Sequence, residues 1–192
     1  MSPANTTGTG AYTLYYGTLD SPHILQVFIE MRDPDCAKMA DSILGTIREA
    51  ADDGKIVAKF HFAANLDDEV GGGGSRCALS ALGAASDVGQ SQFINYLGAL
   101  FASQPHQVTD DPFSDASFLL SRASQVDGLR SAEFDQKVSQ NAYANWAADA
   151  VADFETFGVL GTPTMWLDGR VVLGMPVGST VTPAEFLAEI QK

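Results

Sequence analysis

Cysteine is nearly absent from this chain, which carries only Cys36 and Cys77. Two are too few for a disulfide framework, and a structural zinc site draws on a larger Cys/His set. Histidine is hardly commoner: His23, His61 and His106 have no ligand spacing, so neither a metal site nor a cofactor is expected. Basic side chains are scarce as well, with 11 Lys and Arg against 24 Asp and Glu, a formal net charge of −13. That balance works against the Lys/Arg clusters that grip a phosphate backbone, so no nucleic-acid partner is expected. It equally disfavours anionic membrane surfaces, and no apolar run is long enough to span a bilayer. The acidity itself serves solubility. Residues 1–12 are polar and rich in Gly and Thr, without a basic stretch followed by an apolar one. No signal peptide is visible there, which predicts a cytoplasmic protein, or an extracytoplasmic one if its start has been trimmed.

With 192 residues and a hydrophobic share of 45%, the chain can bury a core without covalent staples. Residues 12–16 (YTLYY) predict a short strand. Residues 24–30 (ILQVFIE), almost wholly apolar, predict a strand buried on both faces of a parallel sheet. A helix is expected from about Cys36 to Ala51, with Met39, Ile43, Ile47 and Ala50 on one face. Residues 56–62 (IVAKFHF) alternate, with Ile56, Ala58, Phe60 and Phe62 on one face of a strand and Val57, Lys59 and His61 on the other.

Gly71-Gly72-Gly73-Gly74 has the composition of a flexible loop and lacks the Lys-Ser/Thr ending of a phosphate loop. Helical patterns then run from about Ser75 to Phe157. Phe93, Leu97, Leu100 and Phe101 form one stripe; Phe118, Leu119 and Val126 suggest a second helix; Ala147, Ala150, Val151 and Phe154 make a third. Gly128 and Gly158 mark expected helix ends. Asp168-Gly169 between two apolar runs, 163–167 and 170–173, is a hairpin signal. Thr182-Pro183-Ala184-Glu185 opens a final helix with a capping box, and Phe186, Leu187 and Ile190 are expected to face inward. The order divides into a β-β-α-β half (1–70), a helical insertion (71–157) and a hairpin-plus-helix half (158–192). A β-α-β half joined to a β-β-α half is the thioredoxin plan, an α/β fold, here with an inserted helical subdomain.

Two places carry chemistry. Cys36 falls in the first turn of a helix that follows a strand, where the positive end of the helix dipole favours a thiolate. Gly161-Thr162-Pro163-Thr164 stands just before a hairpin strand, and a proline, which cannot donate to a sheet ladder, belongs at such a strand start. A cis Thr162–Pro163 bond is predicted there.

Together these segments resemble the DsbA-like branch of the thioredoxin superfamily. Phe28-Ile29-Glu30-Met31-Arg32-Asp33-Pro34-Asp35-Cys36 is similar to the family pattern of Phe and an acidic residue before Cys-Pro-x-Cys. The segment from Gly158 to Gly169 is similar to the family's cis-proline region and following hairpin. The resemblance implies a thiol–disulfide oxidoreductase or protein-disulfide-isomerase-like site at Asp33, Pro34 and Cys36, with Thr162 and Pro163 as a peptide-contacting wall. Asp33 then occupies the place of the attacking cysteine, and Cys36 that of the resolving one. A carboxylate cannot attack a disulfide, so dithiol exchange is expected to be lost or reduced to single-thiol chemistry. An Asp at a helix start can instead cap backbone N–H groups, and with Asp35 its charge opposes a Cys36 thiolate.

Cys77 has two readings: an unusual disulfide with Cys36, or packing against its own helical block. Glu30 is either a buried proton relay, as the resemblance implies, or a carboxylate hydrogen-bonded near the surface. Tyr143, Trp146 and Trp166 are expected in core or edge packing, and the acidic helix faces in solvent. Three functions compete. The first is an oxidoreductase homologue working through one cysteine on peptide or protein thiols, or on glutathione. The second is a peptide- or protein-binding module without redox chemistry. The third, a glutathione-dependent isomerase or transferase, is less favoured because no separate activating residue is found.

Overall fold

The computed structural model describes residues 1–174, 178 and 180–192. Its sheet is mixed. The first strands are β1 (Thr6–Thr7), β2 (Thr13–Tyr16), β3 (His23–Glu30) and β4 (Ile56–Ala63); β5 (Thr164–Leu167) and β6 (Arg170–Leu173) come from the far end of the chain. The spatial order is β1-β2-β4-β3-β5-β6. β3 and β4 run parallel, and β5 lies antiparallel to β3. The helical crossover between β3 and β4 is what a parallel pair requires. The hairpin turn has Asp168 and Gly169 both at positive φ, the signature of a type I′ turn.

The crossover is one unbroken helical run: α1 (Pro34–Met39), a π-helical turn (Ala40–Leu44) and α2 (Gly45–Asp52). It begins at Asp33, whose side chain accepts the Asp35 N–H, with Pro34 in the first helical position. Met39, Ile43, Ile47 and Ala50 are all buried, so the expected stripe does face the sheet.

The helical block holds α3 (Asn65–Glu69), α4 (Gly74–Val88), α5 (Gln90–Phe101), a 3₁₀ turn (Pro112–Ser114), α6 (Ala116–Ala123), α7 (Ala132–Ser139) and α8 (Ala144–Glu155). α9 (Pro183–Ile190) closes the fold with the expected capping box. Along β4 both faces are buried, Val57 and His61 included, because α8 packs on the His61 side while Phe93 of α5 meets Phe60 on the other. Three expectations need correction. Leu187 of α9, expected to face inward with Phe186 and Ile190, is exposed while those two are buried, because it falls on the outer side of the helix. Val126 does not extend α6 but is buried in the turn beyond it, and Gly128, at φ +71°, lies farther along the same turn. The glycine run is anchored rather than free. Gly73 and Gly74 N–H groups donate to Asp111, the Arg32 guanidinium donates to the Gly71 carbonyl, and Gly74 already belongs to α4.

Candidate functional site

The end of β3 delivers Glu30, and a three-residue link leads to Pro34 at the head of α1. Asp33 is the pivot of this link. Its Oδ1 accepts the Asp35 N–H at 2.8 Å, as an N-cap should. Its Oδ2 accepts two further donors, the Thr162 hydroxyl at 2.5 Å and the Cys36 thiol at 3.3 Å. The Glu30 N–H donates to Cys36 Sγ at 3.4 Å. Cys36 is 0% exposed, and burial first, then the Asp33 charge, pushes its thiol well above the usual range. The dipole that would favour a thiolate is thus outweighed by desolvation and like charge. Pro34 is exposed at the rim.

Thr162 comes from the opposite end of the chain, and the Thr162–Pro163 bond is cis. Beside it runs a groove of about 250 Å³ whose apolar lining includes Val159, Leu160, Pro163, Trp166 and Val171, with Asp35 at its edge. Leu160 is 91% exposed, so an apolar side chain stands open to solvent at the groove. Asp33, Pro34, Cys36, Thr162 and Pro163, named from sequence, therefore gather at one end of the sheet. Trp166, expected only to pack, also lines this groove.

Glu30 is not near the surface. It is 3% exposed, accepts the Leu66 N–H at 2.8 Å and the Ser75 hydroxyl at 3.1 Å, and burial raises its pKa. Both cysteines are free, which sets aside the Cys36–Cys77 disulfide. Cys77 sits half-buried in α4, near the Asn141 amide. Tyr143 and Trp146 are buried as expected. Among the described residues no cluster of His, Cys, Asp and Glu could hold a metal ion, and no helix is long and apolar enough to cross a membrane.

Sequence reasoning missed the groups that hold the Asp33 link in place. The Gln104 amide donates to the Met31 carbonyl at 2.6 Å and the Asp33 carbonyl at 3.1 Å. Arg32, 3% exposed, pairs with Asp67 at 3.0 Å and lies 3.6 Å from Asp111. Asp67 also accepts the Ser75 and Arg76 N–H groups at the start of α4. One acidic residue expected in solvent is therefore a buried anchor. No local pattern marks Gln104 or Asp67; the one signal available was Arg32, a charge two residues past an apolar strand, which would need a buried partner. His61, buried against Phe28 and Phe157, was likewise unmarked.

Solved structures similar to this chain share its fold. The reduced disulfide bond oxidoreductase DsbG of Mycobacterium tuberculosis superposes with a TM-score of 0.77 at 19% identity, covering 96% of this chain and 88% of that one. Oxidised BdbD of Bacillus subtilis gives 0.74 at 16% identity, with coverages of 100% and 97%. The thiol-disulfide oxidoreductase MdbA of Actinomyces oris gives 0.75 at 20%, with coverages of 93% and 84%. The fold is therefore that of DsbA-type thiol–disulfide oxidoreductases, with its helical insertion. No curated protein matches the chain. A family model described as thioredoxin matches residues 9–192, nearly the whole sequence, and by that match the chain belongs to the thioredoxin family.

Proposed function

We propose that this protein is a DsbA-like homologue that has given up dithiol exchange and retains the groove beside Pro163 for binding an extended peptide or protein segment. One observation carries the reading: the Asp33 carboxylate accepts from both the Thr162 hydroxyl and the thiol of a Cys36 that is fully buried. Exchange needs an accessible thiolate. Here desolvation and the adjacent carboxylate both oppose one. The same features weigh against single-thiol chemistry. Glutathione, an anion, would meet Asp35 at the groove with no cation among the described residues that line it, which weighs against the transferase reading.

In this reading, segments 1–70 and 158–192 supply the site, and 71–157 braces it through Gln104 and Asp111. The groove needs no redox couple, so the proposal holds for a cytoplasmic or an extracytoplasmic protein. The test is thiol reactivity in the Cys77→Ser protein. Cys36 is expected to resist an aromatic disulfide reagent in the native state and to react fully once unfolded, and insulin reduction is expected to stay at background. Rapid native-state labelling of Cys36, or robust insulin turnover, would return the protein to thiol chemistry.

A further inference from the structure

A larger groove, about 570 Å³, lies away from the cis-proline wall, between the crossover helix and α5. Its floor is apolar, formed by Ala40, Leu44, Ile94 and Phe101, all buried. Two features keep it open. The π-helical turn widens the crossover helix beside the groove. Gly45 and Gly98 line it with no side chain to fill the space: a Cβ on Gly45 would meet nothing within 4 Å, and one on Gly98 only Leu44, at 3.5 Å.

The polar end is cationic. Arg48 donates to the Asn95 carbonyl oxygen at 2.9 Å across the groove and has no carboxylate within ion-pairing distance among the described residues. Of the six arginines, Arg32, Arg76, Arg130 and Arg170 meet carboxylates, whereas among the described residues Arg48 and Arg122 do not, and Arg122 lies over the Phe118 ring instead. The neutral Asn95 contact orients the guanidinium without neutralising it, and leaves the Asn95 amide N–H groups free to donate alongside it. At the opposite end Lys38 is already paired with Asp35, and Asp41 adds negative charge. The field along the groove therefore points an anion to Arg48. Helical rise places Ala37 about 16 Å from Arg48, room for a short apolar tail.

We propose that this groove binds a medium-chain monocarboxylate, its carboxylate on Arg48 and Asn95 and its alkyl chain over Leu44, Gly98 and Phe101 toward Ala40. The cavity lies within the size range of small-molecule sites, and its lining is the usual one: mostly apolar, with a few convergent polar groups. Nothing in this inference depends on the redox state of Cys36.

The probe is octanoate, followed by amide chemical shifts in the full chain. At about 1 mM, octanoate should shift Leu44, Gly45, Ile94 and Gly98 in a saturable way. Arg48→Gln, a change on the exposed rim, should weaken binding about tenfold or more through loss of a charge-assisted contact. The uncharged 1-octanol at the same concentration should produce little shift. Gly45→Leu, which enters open space, should block binding while leaving the melting temperature near wild type; should that variant fail to fold, Arg48→Gln alone decides. Absence of shifts in the wild type, equal shifts in Arg48→Gln, equal shifts with 1-octanol, or shifts confined to Leu160–Trp166 would each overturn the proposal.

Discussion

At the scale of single residues, Asp33 and His61 make separable predictions. Asp33→Cys, in a Cys77→Ser background, puts a second thiol beside Cys36 at the same helix start. With oxidised glutathione the pair should close to a disulfide, releasing reduced glutathione, and thiol counting should find no free thiols. Loss of the Asp33 cap should at the same time lower stability by about 1 kcal/mol. If both thiols stay free, position 33 is not the nucleophile position. His61 is 5% exposed, its Nε2 has no hydrogen-bond partner among the described residues, and burial holds its pKa at about 4, below the usual 6.5. The unfolded chain therefore takes up a proton that the folded chain refuses between those values. Stability is full above the unfolded pKa and declines as pH falls toward the folded one. His61→Phe should remove that acid limb, on the order of 3 kcal/mol. Urea midpoints at about pH 7 and about pH 4.5 should sit closer together in the variant than in the wild type. Glu30, whose pKa is raised by burial, tilts stability the opposite way but is common to both proteins. Asp33 could be read as a cap because capping is local, three residues at most; that Thr162 would reach its carboxylate could not, since the two stand 129 positions apart in the chain.

At the scale of elements, the turns and caps were the most legible parts. Asp168-Gly169 and Thr182–Glu185 form the predicted hairpin turn and capping box because backbone φ preferences and side-chain reach decide both within a few residues. The link before α1 is different. Its anchor is Arg32–Asp67, buried at both ends, joined by Asp111 and the glycine run. Asp67→Ala would leave the Arg32 charge buried beside a lost partner, a change that typically costs about 3–5 kcal/mol. Asp68→Ala, on the exposed side of Arg76, should move the urea midpoint far less. Equal losses in the two variants would mean that the buried pair does not anchor the link.

At the scale of the whole molecule, charge and layering matter most. A net charge of −13 on 192 residues implies self-repulsion that salt should relieve. Raising sodium chloride from low to near-molar concentration should lift the melting temperature by roughly 2–4 °C, the shift that about 1 kcal/mol produces in a domain of this size. A lower melting temperature in salt would show that the ion pairs, Arg32–Asp67 among them, outweigh the repulsion. The sheet is covered on both sides, by the crossover helix and α5 on one and by α8 on the other, so His61 and Val57 are as buried as Phe60. Alternation in one strand could not reveal that, because which face meets solvent depends on what the rest of the chain lays over it.

The sequence alone determined the order of strands and helices, the hairpin turn, the caps and the identity of the residues at the cis-proline and helix-start positions. These follow from backbone preference and hydrophobic period, which act over one or two turns of chain. Tertiary structure alone decided that Cys36 is sealed, that Glu30 and Asp67 are buried, that Gln104 and Arg32 hold the link, and that two glycines leave a groove beside Arg48. Each of these depends on groups far apart in sequence meeting in a low-dielectric interior or across a helix pair. There desolvation, charge and shape are set by the neighbours a residue acquires on folding, not by those it has along the chain.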